Sequence, residues 1–167
     1  MKVKDVVIVG LMSAALTAGK LALSFMPNVE IVTLFLMLFA VTLGLKRALL
    51  ASIVFVTTEI LLYGFSTWVL VYYALWPCLV VVTTLLSRMI KSEFGYAALA
   101  GIFGFSFGFF SAVFESFFYG PAYGIAYWLR GITFDVVHGA SNFIIVLMLF
   151  SPLHNMLKAQ AARFILN

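Results

Sequence analysis

The sequence predicts an all-α membrane protein: a compact bundle of six transmembrane helices, with both termini cytoplasmic and an outward-facing pocket. Three observations carry that prediction. Of 167 residues, 65% are hydrophobic and only 10% charged, too little charge to cover a soluble domain of this size. Apolar runs broken by short Gly, Pro or charged stretches fill nearly the whole chain. At about 20 residues per crossing, six crossings almost exhaust it. The basic residues, finally, cluster at alternate breaks between the runs.

Each element has its own signal. The first helix is expected over residues 6–26, stopped by the turn pair Pro27-Asn28. The second, over 30–44, is short and ends at Gly44. The third follows Lys46-Arg47, covers 46–63 and stops at Gly64. The fourth runs over 68–86 with Pro77 inside it as a kink. The fifth is expected over 96–118. A loop from Tyr119 to Gly131 then leads to the sixth, over 132–150, which Pro152 ends. Residues 153–166 read as a separate amphipathic tail at the cytoplasmic interface. The expected organisation is therefore one integral membrane domain, 1–167, in the cell (inner or plasma) membrane, without a cleavable signal peptide. It leaves no room on the chain for an ATPase, a kinase or a nucleic-acid-binding module.

Charge sets the orientation. Lys2, Lys4, Lys46, Arg47, Arg88, Lys91, Lys158 and Arg163, eight of the ten basic residues, fall on one side of a six-helix layout. The positive-inside rule makes that side cytoplasmic, so the net charge of +4 reflects topology and implies no nucleic acid. The remaining bases, Lys20 and Arg130, lie in the outer half with Glu30, Glu59, Glu115 and Asp135. Ionisable groups at membrane depth are costly and face one another or a watery cavity. Five helices bring such a group to one outer level, which predicts a single outward-opening polar pocket.

The richest stretch for chemistry is Trp128 to Phe143. Asp135, His138 and Asn142, spaced i, i+3, i+7, share one helical face and offer an acceptor, an imidazole and an amide to a ligand. The bland alternative is hydrogen bonding between helices. A metal or hydrolytic site built on Asp135, His138 and Glu59 or Glu115 lacks any supporting motif, so no metal, cofactor or catalytic residue is expected. The single Cys78 excludes an internal disulfide and reads as a buried, inert residue. Trp68, Trp76 and Trp128, with several tyrosines, fall on the outer side as an aromatic belt. Trp76, one turn from Tyr72 and beside Pro77, is also placed to stack on a flat ligand.

Two helices carry strips of small residues at four-residue spacing: Gly10, Ala14, Ala18 and Ala22 on the first, and Gly104, Gly108 and Ala112 on the fifth, leading to Glu115. Such strips admit close helix approach, within the bundle or by a partner.

The chain resembles the substrate-binding S components of energy-coupling factor (ECF) vitamin transporters. The resemblance lies in its size and six-helix layout, in Gly10/Ala14/Ala18, and in Pro27-Asn28-Val29-Glu30. It extends to Gly64-Phe-Ser-Thr-Trp68 running to Trp76-Pro77, and to Phe134-Asp135-Val-Val-His138-Gly-Ala-Ser-Asn142-Phe143. It implies a non-catalytic subunit that captures a vitamin or precursor outside. Delivery then runs through a transmembrane T component and two ABC-type ATPases, with the S component toppling in the bilayer. It implies contact with the T component through Gly10, Ala14 and Ala18, and a lid over Pro27 to Glu30. The pocket would use Asn28, Glu30, Trp76, Glu115, Arg130, Asp135, His138 and Asn142. A solitary carrier or channel is the alternative reading, and an intramembrane enzyme a more distant one.

Overall fold

The computed structural model describes residues 2–164 as six helices in chain order. These are α1 (Val3–Ala22), α2 (Val32–Leu43), α3 (Leu45–Tyr63), α4 (Thr67–Leu86), α5 (Glu93–Tyr119) and α6 (Pro121–Phe164). Four of them, α1, α4, α5 and α6, are long and apolar enough to cross a membrane; α2 is apolar but has only 12 residues. Large apolar side chains such as Leu11, Ile102, Phe117 and Met148 stand exposed on the outside of the bundle.

The core gathers around α2. Val32, Leu34, Leu36, Met37 and Leu38 are at most 1% exposed, because α1, α3, α4 and α6 surround this short helix and α5 touches it. Side-chain bonds mark the two ends of the bundle. At one end Arg47 donates to Asp5 at 2.7 and 2.9 Å, Thr42 bonds His154 at 3.0 Å, and Ser151 donates to Glu93. That end gathers the starts of α1, α3 and α5 with the end of α2. At the other end Lys20 pairs with Glu59, and Thr67 donates to Glu115. The helices therefore alternate in direction.

Several boundaries differ from those the sequence predicts. Helix α1 stops at Ala22, not at residue 26, and leaves a longer non-helical segment before α2. Asn28 within it takes a φ of 59°, a left-handed conformation that asparagine tolerates better than most residues. The loop expected from Tyr119 to Gly131 is absent. Gly120 alone, at φ 88°, separates α5 from α6, and Pro121 opens α6. Glycine past one helix end and proline at the next helix start is the arrangement their backbones favour. Nor does Pro152 end the helix: α6 runs through it for 44 residues, about 66 Å, to Phe164. Side-chain contacts hold α6 on both sides of the proline. Phe150 stacks on Tyr96 at 4.1 Å, Ser151 reaches Glu93, and His154 reaches Thr42. The expected separate tail is thus the continuation of α6, and its residues 165–167 lie outside the described residues. Cys78 is exposed, not buried.

Candidate functional site

A two-lobed cavity occupies the end of the bundle where Lys20 meets Glu59. Its lobes have volumes of about 560 and 480 Å³. Asn28, Trp68, Tyr72, Phe107 and His138 line both, so the lobes adjoin. Each lobe falls in the size range of small-molecule sites.

The first lobe is walled by the segment between α1 and α2, from Leu23 to Glu30, against α4 and His138 of α6. Two anchors hold that segment. Ser141 donates to the Asn28 carbonyl at 3.2 Å, and Glu30 bonds His138 at 3.3 Å. Glu30 also accepts the Thr33 backbone N–H at 2.9 Å, satisfying a free donor at the start of α2.

Aromatic rings make the rest of this lobe. Trp68, Tyr72 and Trp76 follow at intervals of four on α4, so one helical stripe presents all three. Their centroids lie 4.9 and 5.6 Å apart in edge-to-face contact, and Phe107 of α5 closes on Tyr72 and Trp76 at 5.9 and 5.5 Å. The Lys20 ammonium sits 5.0–5.6 Å from the rings of Tyr63, Trp68 and Tyr72, while pairing with buried Glu59. Its charge is thereby both neutralised and enclosed. Trp76 is 3% exposed, and its indole N–H has no hydrogen-bond partner among the described residues.

The second lobe is the more acidic. Glu115 accepts from Thr67 Oγ1 at 2.7 Å, and Asp135 accepts the Gly108 N–H through Oδ1 at 2.9 Å. Its other oxygen, Oδ2, is buried without a partner among the described residues. A Cβ on Gly108 would overlap the Asp135 carboxylate, so this glycine makes the space the acid occupies. Tyr123 and Tyr127 line the far side. Arg130 is exposed at the rim and donates through Nε to the Ala126 carbonyl.

Of the residues proposed from sequence, Asn28, Glu30, Trp76, Glu115, Arg130, Asp135 and His138 all line a lobe. Asn142 lines neither. It is 1% exposed and donates to Thr33 at 3.2 Å, tying α6 to α2. Lys20, expected among the outer polar groups, lines the first lobe, and Tyr63, Trp68, Tyr72 and Phe107 line the cavity without having been assigned to it. Their signal was present in the four-residue spacing of Trp68, Tyr72 and Trp76, and in a lysine among apolar neighbours. Gly10, Ala14 and Ala18 lie away from the cavity, exposed on the outer flank of α1. Compared with protein-family models, curated proteins and solved structures, the chain matches none.

Proposed function

We propose that the chain is the substrate-binding subunit of an ATP-driven ECF-type importer of a vitamin or related micronutrient. In this reading all six helices sit in the cell membrane with both termini in the cytoplasm, and the cavity faces outside. The observation that carries it is the position of the cavity: a ligand-sized, aromatic and polar space at one end of the bundle, walled by the segment before α2. The eight clustered bases belong to the opposite end, where Arg47 meets Asp5, so the positive-inside rule turns the cavity outward. The buried ionisable groups, Glu59, Glu115, Asp135 and His138, belong to the cavity half of the bundle, as suits a binding subunit better than a pore. The exposed small-residue flank of α1 is free for the T component.

Two measurements test this. Mass spectrometry of the protein purified in mild detergent should find one stoichiometric small molecule. Liposomes containing the chain alone should show no sustained uptake of that molecule, and should gain uptake when the T component and both ATPases are added. Sustained uptake by the chain alone would replace this reading with a solitary carrier.

A further inference from the structure

The cavity carries more carboxylates than bases. Lys20 and Glu59 neutralise one another, Glu30 faces His138, and Arg130 stands exposed at the rim. Glu115 and Asp135 remain, at most 9% exposed, with no cationic partner among the described residues. A buried carboxylate without a countercharge is costly, and the cost is removed by a cation brought in from outside. For an anionic ligand the lining offers Arg130 only at the exposed rim, while the deeper base, Lys20, is already held by Glu59 and by the rings of Tyr63, Trp68 and Tyr72.

Two further atoms describe the ligand. Asp135 Oδ2 and Trp76 Nε1 are both buried and unpartnered, on side chains that line the second and first lobes. The first asks for a donor and the second for an acceptor. Trp68, Tyr72 and Phe107 line both lobes, so the two atoms border one aromatic-lined space that suits a planar, positively charged ring. We propose that the cavity binds a planar, nitrogen-containing heteroaromatic cation. A ring acceptor receives the Trp76 N–H, and an amino or cationic group lies against Asp135 and Glu115. This rests on the reading of the chain as a binding subunit and names the class of its substrate.

The test is calorimetry on the intact chain in nanodiscs with four probes: an N-methylated aminopyrimidinium salt, neutral aminopyrimidine, pyrimidine carboxylate and tetramethylammonium. The pyrimidinium should bind about tenfold or more tightly than each of the others. Asp135→Asn should remove that preference over the neutral probe, with Glu115→Gln as the second variant should Asp135→Asn fail to fold. Trp76→Phe should weaken the charged and neutral pyrimidines alike, because both lose the N–H. Equal or tighter binding of the neutral or carboxylate probe, binding of none, or a preference unchanged in both acid variants overturns the proposal. A neutral or anionic molecule co-purifying in stoichiometric amount would sink the substrate class and leave the binding-subunit reading standing. Cation-selective binding in a chain that sustains uptake alone would do the reverse.

Discussion

Two strips of small residues, alike in sequence, meet opposite fates. On α5, Gly104 lies so close to α6 that a Cβ there would come within 2.8 Å of the Gly139 backbone and the His138 carbonyl. Gly108 makes room for the Asp135 carboxylate, and Ala112 is buried. On α1, Gly10 has nothing within 4 Å of where its Cβ would be, and Ala14, Ala18 and Ala22 are exposed. The α1 face that packs inward is a different one, formed by Val9, Met12, Ser13, Leu16 and Gly19. Four-residue spacing of small side chains thus means close helix approach in one case and an uncovered flank in the other. Only the α5 strip is accounted for by contacts within the chain.

The contrast can be broken at several points. The largest effect is expected from Gly104→Val, whose side chain meets backbone that cannot move aside. It should cost about 2–3 kcal/mol, read as a large drop in thermal unfolding temperature. Gly108→Ala should cost less, about 1–2 kcal/mol, but should displace Asp135 and so weaken ligand binding by calorimetry. Full affinity in that variant would remove Asp135 from the site. Gly10→Ala, with open space around it, should stabilise the chain by about 0.5–1 kcal/mol through helix propensity alone. The smallest change in stability belongs to Ala14→Trp, within about 0.5 kcal/mol for an uncovered position. Under the proposed function its effect should appear instead in co-purification with the T component, which it should abolish. Normal assembly of Ala14→Trp and Ala18→Trp would show that the α1 flank is not the contact face.

Much of the architecture was legible because its signals are local. Apolar runs end where Pro27-Asn28, Gly44 and Gly64 end them, and these breaks lie within a few residues of the observed ones. Of the ionisable residues expected at one level, Lys20, Glu30, Glu115, Arg130 and Asp135 line the cavity, while Glu59 pairs with Lys20 and lines neither lobe. The prolines of α6 are not legible in this way. Pro121 opens a helix and Pro152 is carried within one, and nothing in the residues beside Pro152 announces the support it receives from Tyr96, Glu93 and Thr42. Those partners lie 50 or more residues away in the chain. Asn142 illustrates the same limit. It shares a helical face with Asp135 and His138, yet its bond to Thr33 and its place outside the cavity lining depend on α2.

The sequence by itself determined an all-helical chain rich in apolar spans, the grouping of its basic residues, and the set of polar side chains held at one level. Each follows from composition and from the short-range geometry of a helix, which need no knowledge of neighbours. The tertiary structure alone decided which small-residue strip is buried, which acids find partners and which atoms stay unpaired. Those outcomes depend on how helices far apart in sequence cross, and a single residue's turn about a helix axis separates a packed side chain from a free one.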